Sequence, residues 1–109
     1  MGYALRYHPK VADQDLAKIP AQTRSRIARQ IEARLTTEPD RYGARLSGSL
    51  RGYWKLRVGD YRVVFTIGGG EVWILAIVHR KDVYARSPRR AHTTLLSRAR
   101  TNGGPSRSG

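Results

Sequence analysis

The sequence predicts an α+β domain: an N-terminal strand, an αα-hairpin, then an antiparallel β-meander, with the helices packed on one face of the sheet. Three observations point there. Residues 3–7 alternate apolar and polar, as a half-buried strand does. Two following segments carry apolar residues at helical spacing. Three later runs alternate again and are joined by glycine-led links. These elements fill residues 1–85 of the 109. Residues 86–109 hold six arginines and no acid. They bury too little apolar surface to fold alone and are expected to be a mostly disordered basic tail.

Each element has a local cause. Tyr3-Ala4-Leu5-Arg6-Tyr7 reads as a strand. Pro9 suits the first turn of a helix, and Ala12, Leu16 and Ile19 follow as its expected buried stripe. Pro20 ends that helix and opens the next, where Ile27, Ile31 and Leu35 recur every four residues until Pro39. A loop runs from Asp40 to Gly52, punctuated by Gly43, Gly48 and Gly52, with Leu46 and Leu50 as its anchors to the core. Strands are expected at Tyr53–Val58, Tyr61–Ile67 and Val72–His79.

The Gly59-Asp60 link fixes a register, because a glycine-first two-residue loop matches a tight hairpin turn. Trp54 then faces Phe65, Leu56 faces Val63, and Val58 faces Tyr61, all on the side that receives the helices. The other side collects Tyr53, Lys55, Arg57, Arg62, Val64 and Thr66, with Arg57 directly across from Arg62. Like charges in that position destabilise a strand pair, and a fold tolerates them more readily where an anion binds. Extending the alternation through the third strand puts Val72, Ile74, Ala76 and Val78 on the core side. Trp73, Leu75, Ile77 and His79 fall on the open side, followed by Arg80, Lys81 and Tyr84.

Charge gives the functional class. Twenty-one Lys and Arg oppose eight Asp and Glu, and seventeen of the cations are Arg. The guanidinium grips phosphate with two parallel donors and stacks on bases, so this bias favours nucleic acid. With the tail set aside, residues 1–85 still carry +7. No cysteine is present, which excludes disulfides and thiolate metal sites and fits a reducing cytoplasm. Three scattered histidines supply no metal-ligand spacing. Neither a signal-peptide run at Met1–Pro9 nor a span of about 20 apolar residues is seen, so no membrane role is expected. Gly68-Gly69-Gly70 joins two strands and lacks the strand-to-helix context of a phosphate loop.

The stretch Gly-Tyr-Trp-Lys-Leu-Arg-Val-Gly-Asp-Tyr-Arg-Val-Val-Phe at 52–65, followed by an apolar strand and His-Arg-Lys-Asp-Val-Tyr at 79–84, resembles the RelE/ParE toxin superfamily. The ending at 79–84 looks like its RelE branch, whose members cut mRNA in the ribosomal A site. The resemblance spans residues 2–85 and implies a toxin of a type II toxin–antitoxin system with metal-free, cofactor-free ribonuclease chemistry. It also implies an acidic antitoxin partner in a hetero-oligomer, and the ribosome and mRNA as targets.

By the same resemblance, Lys55 helps activate the 2′-hydroxyl, Arg62 holds the scissile phosphate, Arg80 assists the leaving oxygen, and Tyr84 stacks on the substrate base. Arg57, Tyr53, His79, Lys81, Arg45 and Arg51 are the accompanying candidates for RNA contact. The chain departs from the family pattern twice: Tyr53 replaces a strand lysine, and Ser47 stands at a loop arginine, for which Arg45 or Arg51 is the candidate substitute. The rival reading is a ParE-like inhibitor of DNA gyrase without nuclease activity. A third is a non-catalytic RNA-binding module.

Overall fold

The computed structural model describes residues 2–47 and 50–83; Tyr84 and the basic tail lie outside them. Five strands form one sheet in the order β1-β5-β4-β3-β2. They are β1 (Ala4–Tyr7), β2 (Ala44–Arg45), β3 (Trp54–Val58), β4 (Tyr61–Gly68) and β5 (Glu71–His79). The meander β3-β4-β5 is antiparallel, and β1 joins the far side of β5 in parallel. Apart from a final turn at Arg80–Val83, the helices lie between β1 and β2 in sequence, so the chain crosses the sheet from one edge to the other over a single face.

The first helical segment differs from the expected helix. It is a wide turn, Val11–Asp15, in which the Leu16 N–H donates to the Val11 carbonyl five residues back, followed by a tight turn, Leu16–Lys18. Widening the turn lines up Val11 with Leu16 instead of Ala12 with Leu16. Val11 is therefore buried and Ala12 exposed, which corrects the predicted stripe while keeping Ile19 in it. The Asp15 carboxylate accepts the Ile77 N–H at 2.9 Å, fixing this segment to β5 beyond the last residue that β1 pairs.

Ile19 is extended, as a residue before proline prefers, and Pro20 leads into α1 (Ala21–Gln30). A second wide turn, Ile31–Leu35, continues it, so that Ile27, Ile31 and Leu35 are all buried as their spacing predicts. Pro39 does more than stop this segment: it opens the one-turn helix α2 (Pro39–Tyr42).

The β3–β4 register is the one predicted from the turn, from Trp54 opposite Phe65 to Val58 opposite Tyr61. Gly59 supplies the positive φ, +60°, that a glycine-first tight turn requires. The β4–β5 turn uses Gly69 and Gly70, at φ +59° and +75°. Its pairing corrects the third strand. Phe65 pairs with Ile74 but Val64 pairs with Ala76, so Leu75 is an extra residue in a β-bulge. From there the alternation is inverted: Ile77 joins the helix-side core with Val72 and Ile74, and Ala76 faces the other side.

That other side is not fully open. The loop after β2 folds over it, and Leu46 and Leu50 close a second small core with Tyr53, Val64, Leu75 and Ala76, flanked by Trp73 and Val78. Leu46 and Leu50 are anchors as expected, but to this second core. The helix-side core holds Val11, Ile27, Ile31, Leu35, Leu56, Val63 and Phe65.

Candidate functional site: a cationic face at the β3–β4 turn

The second core covers only part of the sheet face away from the helices. Toward the Gly59-Asp60 turn the same face carries Lys55 and Arg57 on β3 and Arg62 on β4, placed there by simple alternation. Arg57 is exposed and Arg62 half-buried. One Arg62 Nη1 donates to the carbonyls of Gly59 and Tyr61, each at 3.0 Å, which holds the guanidinium at the turn.

Arg80 reaches this cluster because of the bulge. With uninterrupted alternation His79 would sit on the cationic side and Arg80 would turn away. The extra residue at Leu75 reverses the phase, so that Val78 pairs with Arg62 and His79 with Tyr61. Bulges are a common means of re-aiming a side chain. Arg80 opens the one-turn helix α3 (Arg80–Val83), and its N–H donates to the Asp60 carbonyl at 2.7 Å. Its Nε lies 3.8 Å from the Asp60 carboxylate.

The three arginines are close enough to act on one another electrostatically. The Arg62 guanidinium titrates below its usual range, first because it loses solvent, then because Arg57 and Arg80 repel its charge, with Asp60 opposing the shift. It remains a cation at neutral pH. A phosphate placed here meets converging positive charge.

The other predicted residues are dispersed. Tyr53 is buried, at 6% exposure, inside the second core, so its ring is no stacking surface for RNA in this structure. His79 is on the helix side, where its ring meets Tyr61 edge-on at 5.5 Å and its Nδ1 accepts the Lys81 N–H. That placement corrects the expectation that His79 lines the open face. Lys81 is exposed beside Arg80.

Arg45 and Arg51 lie together at the β2–β3 edge. Arg45 pairs with Trp54 at the far edge of the sheet and lays its guanidinium over the indole, 5.0 Å from the ring centre. Both arginines line a separate cavity of about 610 Å³ there. Tyr84 lies outside the described residues.

Two further residues lie at the site outside the sequence candidates. Asp60 had been assigned to the turn alone, yet it is the acid that contacts Arg80. Arg26, on α1, brings its Nη1 to 3.4 Å from where a Gly59 side chain would begin, adding a cation at the rim. Its position on the exposed side of the helical pattern was the available signal. Among the described residues no group of three or more His, Cys, Asp or Glu could hold a metal ion. Nor, among them, is any helix long and apolar enough to cross a membrane.

Comparison with known proteins adds a family. The model of the ParE toxin of type II toxin–antitoxin systems, parDE, matches residues 5–84. Toxin RelG of Mycobacterium tuberculosis is 33% identical over 88 residues, covering 79% of this chain and 100% of that protein. Toxin RelE of the same organism is 33% identical over 87 residues, covering 75% and 90%. The toxin–antitoxin complex RelBE2 of that organism contains a chain similar in structure, with a TM-score of 0.66 and 31% identity over 75% of this chain and 95% of that one.

Proposed function

The chain belongs to the RelE/ParE superfamily of type II toxin–antitoxin toxins, and from that premise we propose that it is a ribosome-dependent endoribonuclease that cuts mRNA in the A site. One observation carries the proposal: Arg57, Arg62 and Arg80 converge on the sheet face that also bears Lys55.

The chemistry needs no metal. The ribose 2′-oxygen attacks the adjacent phosphorus and loses its proton while the bond from phosphorus to the 5′-oxygen breaks. The products are a 2′,3′-cyclic phosphate and a 5′-hydroxyl. Charge accumulates on the non-bridging oxygens and then on the leaving oxygen, where fixed cations are most effective. Lys55 acts at the 2′-oxygen, by taking its proton or balancing its charge. Arg62, pinned by two backbone carbonyls, holds the phosphate, and Arg57 shares that load. Arg80 acts at the leaving oxygen. Tyr84 stacks on the base, and Lys81 contacts the backbone beyond it. The ribosome presents the mRNA, and a cognate antitoxin binds the toxin and blocks it; the similar chain in RelBE2 is part of a toxin–antitoxin complex. The basic tail strengthens RNA association by counterion release.

Primer-extension mapping of an mRNA during cell-free translation tests this. New ends at codon positions are expected with the wild type and ribosomes, and not with Arg80→Ala or with free RNA. Intact mRNA with continued translation overturns the proposal. A second reading has its own support, since the matching family model is described by ParE: binding of DNA gyrase without cleavage. It requires a toxicity that survives Arg62→Ala and an inhibited supercoiling reaction.

A further inference from the structure

The cavity at the β2–β3 edge is not used by the cleavage chemistry. It measures about 610 Å³, within the span of ligand pockets, and its walls include Arg45, Ser47, Arg51, Tyr53 and Trp54. Among the described lining residues there is no carboxylate. Arg45 packs its guanidinium on an aromatic ring. Its guanidinium lies 5.0 Å over the Trp54 ring, and Trp54 is in turn stacked on Phe65 at 6.3 Å with an interplanar angle of 20°. Phe65 is fully buried, so the column Phe65-Trp54-Arg45 rises from the core and ends in a planar cation at the surface. Such a plane accepts the face of a nucleobase, as an aromatic ring does. Arg51 is exposed on the same wall and offers a charge to phosphate, while the Ser47 hydroxyl offers a hydrogen bond to a sugar or base edge.

We propose that this cavity binds one unpaired nucleotide of RNA, with the base stacked on Arg45 and the phosphate on Arg51. The site itself stands on the cavity; only its role as a subsite flanking the cleaved link rests on the nuclease reading. The topology favours that role. Lys55 follows Trp54 in β3 and pairs with Ala44, the neighbour of Arg45. Arg45 and Trp54 pair on the helix side of the sheet and Ala44 and Lys55 on the other, and the two-residue strand β2 is the sheet's edge, so an RNA strand leaving Lys55 reaches the Arg45 platform by turning round that edge.

Trp54 is the natural reporter. In the full chain with Trp73→Phe, it is the sole tryptophan, and its emission is followed on titration with adenosine monophosphate, adenosine and inorganic phosphate. Saturable change is expected with the monophosphate, weaker binding with adenosine, and none with phosphate. Arg45→Lys, which keeps the charge and loses the plane, is expected to weaken the monophosphate by about tenfold, in the range of one lost base stack. Arg51→Gln should narrow the gap between the monophosphate and adenosine. An unchanged melting curve shows that each variant is folded. No saturable change, phosphate binding equal to that of the monophosphate, or wild-type affinity in both Arg45→Lys and Arg51→Gln overturns the proposal. Binding that survives Arg80→Ala in a protein that cuts no mRNA leaves this site standing and removes only the nuclease reading. A protein that cuts mRNA and gives no saturable change does the reverse.

Discussion

Arg57 and Arg62 are register partners across the β3–β4 hairpin, both on the face away from the helices, and Arg80 repels the same guanidinium from the end of β5. The pair opposes folding and favours an anion, so stability and activity should respond in opposite directions. Arg57→Thr keeps a good strand former, and should leave stability unchanged or raise it by about 0.2–1 kcal/mol as the cross-strand repulsion is relieved. The same change should lower mRNA cleavage by about tenfold. Arg62→Ala should lower it by about 10²–10³, the effect of removing one preorganised charge donor. Urea titration beside a cleavage time course checks both; a clear loss of stability in Arg57→Thr would show that the two cations do not repel.

Asp60 sets how much of this charge is available. Its carboxylate faces Arg80 at 3.8 Å with both side chains more than half exposed, so the ion pair itself contributes little to stability, under about 1 kcal/mol. Its negative charge also offsets the mutual repulsion at Arg62. Asp60→Asn should therefore bind a single-stranded RNA more tightly at low salt, by a factor on the order of three to five, with a melting temperature close to that of the wild type. Salt above physiological strength should erase the gain, because exposed charges are screened within about 8 Å at 0.15 M. A gain that persists in high salt would mean that the substitution has rearranged the turn.

Much of this arrangement is legible in the residues, and the parts that are not share a cause. The Gly59-Asp60 turn specifies the β3–β4 register by local geometry alone, and Arg57 and Arg62 follow from it. Ile27, Ile31 and Leu35 follow from periodicity. What periodicity misses are insertions into the repeat. The bulge at Leu75 adds a residue to β5 and exchanges the faces of Ala76, Ile77 and His79. The wide turn at Val11–Asp15 exchanges Ala12 for Val11. Both are long-range effects: β5 is held by β1 on one side and β4 on the other, and Asp15 closes onto Ile77 across 62 residues. The burial of Tyr53 was hidden for a different reason. Alternation places it on the open face correctly, but only tertiary folding brings Leu46 and Leu50 over it.

The edge strand β1 carries a pH-dependent contact. Glu71 accepts hydrogen bonds from Arg6 Nε at 3.0 Å and from Trp73 Nε1 at 3.1 Å. The Arg6 bond, then the Trp73 bond, hold its carboxyl below the usual 4.5. A carboxyl depressed in the folded state adds stability above its unfolded value, and that stability is lost as pH falls through the folded value. Wild-type protein should therefore lose stability as the pH drops below about 4.5 more steeply than Glu71→Gln does, with the two curves parallel near neutrality. Trp73 emission should shift over the same interval in the wild type only. Parallel acid curves for the two proteins would show that the Arg6–Glu71 contact is not maintained in solution.

Gly43 marks how tightly the entry to β2 is packed, and so how firmly the cavity edge is held. A side chain begun there would lie 2.6 Å from Phe65 Cζ and 2.9 Å from the Pro39 carbonyl oxygen. Its backbone is ordinary for any residue, with φ −87° and ψ 162°, so glycine is required by space and not by conformation. Phe65 is fully buried beneath Trp54, and the Pro39 oxygen already accepts the Gly43 N–H at 2.9 Å, so neither neighbour yields easily. Gly43→Ala should cost about 1–3 kcal/mol, the usual penalty of overpacking a core, against the few tenths gained from a stiffer unfolded chain. The strain passes through Phe65 to Trp54 and so to Arg45. The variant should therefore lose affinity for adenosine monophosphate at the cavity while the cationic face, set by the Gly59-Asp60 turn, keeps its Arg57–Arg62 register. Urea unfolding followed by the Trp54 titration separates the two effects; a variant as stable as the wild type would show that α2 and β2 can move apart without cost.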